Sequence, residues 1–155
     1  MEKFSIRFKD LYFNVAVAGG AAVRAYFSRE PEGRPIGEGA RRHPFLSSVK
    51  RYFSGERVDL SGIPVRLKGT EFQLRVWRAL RGIPYGETRS YSWIARAVGA
   101  PRAVRAVARA VSRNPILVII PCHRVIRADG SLGGYSSIGG VKLKEELLRL
   151  EGALE

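Results

Sequence analysis

Cys122 is the chain's only cysteine, and His123 and Arg124 follow it directly. A lone cysteine closes no internal disulfide and builds no multi-cysteine metal site. Three roles remain: a small buried filler, a thiol for an intermolecular bridge, or a nucleophile. Cysteine often serves as a buried hydrophobe. Here an adjacent imidazole and guanidinium favour the thiolate, which is the reactive form. Upstream, Ile116-Leu117-Val118-Ile119-Ile120 reads as a buried strand. Pro121 cannot donate to a ladder, so the strand is expected to stop there. The pattern therefore places a candidate nucleophile where a rigid element ends.

A second pattern is cationic. Arginine outnumbers lysine 21 to 6, and the net charge is +13. Residues 70–127 hold eleven Arg against Glu71 and Glu87, so +9 of the +13 lies there. Clustered Arg points to a polyanion, most simply nucleic acid, because guanidinium groups bind phosphate bidentately and stack on bases. The spacing predicts a helix over residues 102–113. At about 100° per residue, Arg102, Arg105, Arg109 and Arg113 share one stripe less than about 90° wide. Val104, Val107 and Val111 fall opposite and are expected to seat the helix. Ala103, Ala106 and Ala110 lie beside the Arg stripe, giving a cationic face of low relief.

These residues need elements to hold them. Residues 4–8, 11–18 and 21–27 read as strands, with Gly19-Gly20 making a hairpin the simplest connection between the last two. Residues 30–42 read as a loop and 44–54 as a helix. Thr70 is a plausible cap for a helix over 71–81, and Ser90 for one over 91–98. Gly99-Ala100-Pro101 then separates that helix from the arginine helix, which is a helix-turn-helix pattern. Trp77 and Trp93 are expected in the core. Residues 129–140 are a glycine-rich loop without the spacing of a Walker A or dinucleotide fingerprint. A last helix is expected over 141–150, and no internal repeat is read.

The totals bound the class. With 155 residues and 45% hydrophobic content, the chain can build a core, which excludes wholesale disorder. Its apolar runs fall far short of the roughly 20 residues a membrane helix needs. Met1-Glu2-Lys3-Phe4 runs straight into strand-like alternation. No signal peptide is read, and an intracellular, reducing, cytoplasmic location is expected. Few Asn, Gln, Cys and Met with abundant Arg suggest a thermophile. His43 alone cannot make a zinc site, so no metal and no cofactor are expected. On the residues alone, a helix-turn-helix regulator with an inert cysteine and a cysteine hydrolase using Cys122 and His123 both stay open. Adjacent Cys and His make poor geometry for a direct pair, which disfavours the hydrolase.

Taken together, these segments resemble one family, the O6-alkylguanine-DNA alkyltransferases, also called methylated-DNA–protein-cysteine methyltransferases. The resemblance is carried by Ile120-Pro121-Cys122-His123-Arg124-Val125-Ile126, by Asn114-Pro115 eight residues before the cysteine, and by Gly134-Tyr135-Ser136 after it. The stretches Ile83–Tyr91, Pro101–Val107 and Lys144–Gly152 also match. Coverage runs from about residue 69 to 152; residues 1–68 resemble the family only in length and strand pattern.

The resemblance implies two domains. Residues 1–68 would form an α/β domain, a small antiparallel sheet plus helix of ribonuclease H-like type. Residues 69–155 would form a mainly α, winged-helix-like domain for DNA binding and alkyl transfer. It further implies that Cys122 accepts the alkyl group of O6-alkylguanine, with His123 as base acting through a water, Glu151 orienting His123 and Asn114 bracing the turn. Tyr91, Val125, Tyr135 and Ser136 would bind the lesion. Arg102, Ala103, Arg105, Ala106 and Arg109 would bind DNA in the minor groove, with Arg105 replacing the flipped nucleotide. The implied partner is double-stranded DNA containing alkylated guanine. The protein would be a monomer, and one molecule would repair one lesion. O4-alkylthymine stays open as a second substrate.

Overall fold

The computed structural model describes residues 1–154, which separate into two compact units. One contains Met1–Leu67 together with Pro115–Ile119. The other contains Lys68–Asn114 and the chain from Ile120 onward. The division is therefore interleaved rather than a single cut near residue 68.

In the first unit, β1 (Glu2–Phe8), β2 (Leu11–Ala18) and β3 (Ala21–Ser28) pair antiparallel. Gly19 and Gly20 both have positive φ, 57° and 76°, as a two-residue hairpin turn with the right twist requires. A fourth strand, β4 (Arg34–Pro35), pairs parallel with β1, and the order is β3-β2-β1-β4. The sheet is thus mixed, not antiparallel throughout. The chain can return beside β1 because Gly33 lies against the Lys3 backbone, where a Cβ would come within 2.4 Å of the Lys3 carbonyl carbon. A single turn, α1 (Ile36–Gly39), precedes α2 (Phe45–Phe53). Leu46, Val49 and Tyr52 of α2 are fully buried, and Phe53 joins Phe8, Phe13 and Phe27 in an aromatic cluster. His43 is occupied by Glu2, 3.0 Å away.

The run 116–120 is not a regular strand. Ile116 bridges Ala25 on the edge of β3, and Leu117 N donates to Ala25 O. Val118 then turns to φ 69°, and Ile119 N donates to Leu117 O at 2.8 Å. This three-residue turn puts a β-branched residue where L side chains are strained. Bonding to β3 takes the first half of the run, and the turn breaks the second half.

The second unit opens with α3 (Glu71–Arg81), capped reciprocally by Thr70 and Gln73. A short strand β5 (Arg89–Ser90) leads into α4 (Tyr91–Ala97), then α5 (Val104–Ser112). A 3-10 turn (Cys122–Arg124), strand β6 (Val125–Ile126) and α6 (Gly140–Leu150) complete it. Helices α3, α4 and α5 pack on one another.

Three sequence expectations are corrected here. The arginine helix starts at Val104, because Ala103 N closes a turn onto Ala100 O that contains Pro101 and Arg102. Ala110 belongs to the core face: it is buried, and its carbonyl accepts from Trp77 Nε1 at 2.9 Å. Trp77 is core, but Trp93 is 41% exposed, with the Arg89 guanidinium 5.3 Å from its ring centre. Among the described residues no helix is long and apolar enough to cross a membrane, and no group of His, Cys, Asp and Glu is placed to hold a metal ion.

Candidate active site

Cys122 is presented by two consecutive tight turns. The first is at Val118. In the second, Cys122 N donates to Ile120 O at 2.8 Å across Pro121, whose φ −81° and ψ 63° are those of an inverse γ-turn. Asn114 Nδ2 donates to the same Ile120 carbonyl at 2.7 Å. The asparagine that stops α5 therefore also fixes the turn before the thiol.

From Cys122 the chain enters the 3-10 turn rather than extended backbone. Successive side chains still diverge, by about 120° at three residues per turn, so Cys122 and His123 point apart. His123 is wholly buried, and its Nε2 lies 2.6 Å from Glu151 Oε2. Glu151 also receives Arg124 through Nε at 2.8 Å and Nη2 at 3.0 Å, and Gly86 N at 3.2 Å. Arg124 Nη1 donates to Ile83 O at 2.7 Å. Glu151, just past the end of α6, thus ties the turn at 83–86 to the Cys122 segment.

Burial opposes the charge on Glu151, but His123 and Arg124 more than offset it and hold the carboxyl well below the ordinary carboxylate range. Burial pushes His123 toward its neutral form, against the pull of Glu151. An ionised Glu151 only accepts, so Nε2 must carry the hydrogen. Nδ1 is then a bare lone pair, and it is buried without a hydrogen-bond partner in the protein.

The thiol differs from the sequence expectation. Burial raises Cys122 to about 11, although Asn114 and Lys144 act in the other direction. The neighbouring guanidinium does not create a standing thiolate, because Arg124 is committed to Glu151. At neutral pH the thiol is therefore held mainly in its protonated form. A nucleophilic role for this sulfur would need a base to take its proton.

Beside this cluster lies a cleft of about 360 Å³, walled by Tyr91, Ser92, Val104, Arg105, Arg127, Gly133 and Gly134 among others. The parallel pairing of Arg89 with Val125 and Ser90 with Ile126 brings Tyr91 next to the Cys122 segment. Burial raises the Tyr91 hydroxyl above its usual value, and a Cys122 thiolate would raise it further. Gly133 has φ +74°, and a Cβ there would stand 3.3 Å from the Tyr91 hydroxyl oxygen, so the loop's close approach depends on glycine.

Residues 71–153 match the family described as 6-O-methylguanine DNA methyltransferase, DNA binding domain. A methylated-DNA–protein-cysteine methyltransferase of Archaeoglobus fulgidus is 48% identical over 153 residues, covering 96% of this chain and 98% of that one. The chain belongs to the methylated-DNA–protein-cysteine methyltransferase family. The protein of the same name from Mycobacterium leprae is 58% identical over 106 residues, 68% of this chain and 62% of its own length. Among solved structures, Mycobacterium tuberculosis OGT in complex with DNA superposes with a TM-score of 0.81 at 40% identity, covering 99% of this chain and 94% of that one.

Within this family member, the structure joins Cys122, His123, Glu151 and Asn114, and sets Tyr91 and Arg105 on the cleft. Val104, expected on the core face, is half-buried and lines that cleft. Val125 is buried, and its carbonyl is taken by Lys144. Ser136 is exposed and is not part of the cleft wall. Arg102 and Arg109 are exposed, and Ala103 and Ala106 are half-buried beside them.

Sequence reasoning missed Lys144 and Arg127. Lys144 is fully buried, and its ammonium donates to the carbonyls of Val125 (2.6 Å), Leu132 (2.5 Å) and Gly134 (3.2 Å). Burial lowers it to about 8. Its signal was a lysine in register with Leu147 and Leu148 on the apolar face of α6. Arg127 gave no signal of its own, because only the folded loop places it on the cleft.

Proposed function

We propose that this protein repairs O6-alkylguanine in duplex DNA by a single, irreversible transfer of the alkyl group to Cys122, after minor-groove binding and base flipping. The observation that carries this reading is the buried His123, tied at Nε2 to Glu151 and open at Nδ1, directly after the only thiol. A target atom stacked in a duplex is out of reach, so the nucleotide must leave the stack at a cost of a few kcal/mol. Arg105, exposed at the rim of the cleft, would fill the gap. The flipped base would occupy the cleft, with Tyr91 donating to the guanine ring and the Gly133–Ser136 loop facing the lesion oxygen.

His123 Nδ1 then takes the Cys122 proton through a water as sulfur attacks the alkyl carbon. The C–O electron pair stays with guanine, whose developing charge a hydrogen bond donated by Tyr91 would stabilise. General base catalysis supplies about 10² to 10⁴ in rate, and positioning at the cleft supplies the larger share. The product is a thioether, so each molecule acts once. The DNA complex of the Mycobacterium tuberculosis protein supports DNA as partner. We read residues 1–68 as ribonuclease H-like and the second unit as winged-helix-like, carrying DNA binding and transfer in an intracellular monomer.

The test is intact-protein mass spectrometry after incubation with a duplex carrying one O6-methylguanine. One methylene mass per protein, mapped to the Cys122 peptide and absent in Cys122→Ser, is expected. Tight lesion binding without any adduct would leave a DNA-binding module with a silent cysteine.

A further inference from the structure

Among the described residues, two buried polar side-chain atoms near Cys122 have no hydrogen-bond partner in the protein: His123 Nδ1 and the Tyr135 hydroxyl. One neighbour, Glu151, acts on both. Glu151 is bonded to the far side of the His123 ring, and the charges of Glu151 and of a Cys122 thiolate both bear on the Tyr135 hydroxyl. That hydroxyl does not serve the cleft: the wall there is built by Gly133 and Gly134, and the Tyr135 oxygen is wholly buried. A buried polar atom left without a partner is costly, so each of the two calls for one.

Their hydrogen-bond characters are complementary. The Tyr135 hydroxyl stays protonated, because burial, with Cys122 and Glu151 adding to it, pushes it well above its usual value. His123 Nδ1 is a pure acceptor once Nε2 donates to Glu151. A water molecule can accept from the Tyr135 hydroxyl and from the Cys122 thiol while donating to Nδ1. A buried water typically has two to four such partners.

We propose that the Tyr135 hydroxyl and His123 Nδ1 jointly hold the water that stands between His123 and the Cys122 thiol, which makes Tyr135 a positioning residue for proton removal. This deepens the alkyl-transfer reading above and rests on it. In the step, the thiol proton passes to the water oxygen as one water proton passes to Nδ1. The freed sulfur pair forms the S–C bond and the C–O pair leaves with guanine. Tyr135 keeps its proton throughout, and its contribution is to aim the water. Arg124 and Lys144 are the cations facing the same cluster, and both are held by bonds of their own.

The test compares the wild-type chain with Tyr135→Phe in three measurements: reaction of Cys122 with iodoacetamide in the absence of DNA, single-turnover transfer from an O6-methylguanine duplex, and affinity for that duplex. A water-aiming hydroxyl predicts a loss of about three- to tenfold in the first two, the worth of one hydrogen bond, with affinity unchanged. Unchanged iodoacetamide reaction with weakened duplex binding would make Tyr135 a pocket wall and overturn the proposal, as would no change in any measurement. A wild-type chain that reacts with iodoacetamide but never accepts the alkyl group would instead sink the repair reading. If Tyr135→Phe does not fold, a crystal structure of the wild-type chain decides. A solvent oxygen within hydrogen-bond distance of both Tyr135 Oη and His123 Nδ1 is expected, and density showing none bridging them overturns the assignment.

Discussion

A thiol raised to about 11 beside a neutral, buried imidazole defines how Cys122 can work. On the proposed mechanism, the rate follows the availability of His123 Nδ1 rather than a thiolate population. His123 is held below its ordinary value of 6.5, and Nδ1 must be unprotonated to act. The single-turnover transfer rate is therefore expected to be flat from pH 7 to 8 and to fall only on the acid side of 6.5. His123→Ala should lose about 10² to 10⁴ in rate and the acid limb together. A stopped-time transfer assay across pH 5–9 checks this. A rate climbing tenfold per pH unit through neutrality would show that bulk thiolate is the reactant. Cys122, His123 and Asn114 were legible because their types and order are themselves the chemistry. The direction of the thiol's shift was not, because it depends on how far the fold buries the sulfur.

At the scale of elements, the helices and hairpins follow from local signals such as the Thr70 capping box and the Gly19-Gly20 turn. The run before Cys122 does not. Its residues have strong β preference, yet Val118 adopts φ 69° in the tight turn that follows the bridge of Ile116 to β3. Strain of this kind costs about 1–3 kcal/mol. Glycine is free of it, whereas alanine is not. Val118→Gly should accordingly be at least as stable as Val118→Ala, the reverse of the usual order in a strand. Urea unfolding of the two variants measures this, and a glycine variant weaker by 1 kcal/mol or more contradicts the strained turn.

At the scale of the whole molecule, +9 of the +13 charges lie in residues 70–127, and Arg105 and Arg109 stand exposed on α5. Affinity for duplex DNA should fall steeply with salt, and removing one phosphate contact should lower the logarithmic slope by about one. Arg109→Ala is expected to behave so on any duplex. Arg105→Ala should reduce repair more than it reduces binding to undamaged DNA, since its proposed place is the gap left by the flipped base. Salt titrations by fluorescence anisotropy, set against transfer rates, separate the two. Equal losses in both assays would reduce Arg105 to an ordinary phosphate contact.

The sequence by itself determined the lone thiol, the imidazole after it, the arginine stripe and the helix-turn-helix that carries it. Each of these is a matter of residue type and short-range spacing. Only the tertiary structure decided that Glu151 and Arg124 lock the His123 tautomer, that Lys144 ties Val125 to the glycine loop, and that residues 115–119 belong with the first unit. Those contacts join groups far apart in the chain, such as Ala25 with Leu117 and Arg124 with Glu151. Helical and strand periodicities carry no information at that range. Buried charge is also settled only there, because the energy of a buried group depends on its partners and not on its neighbours in the chain.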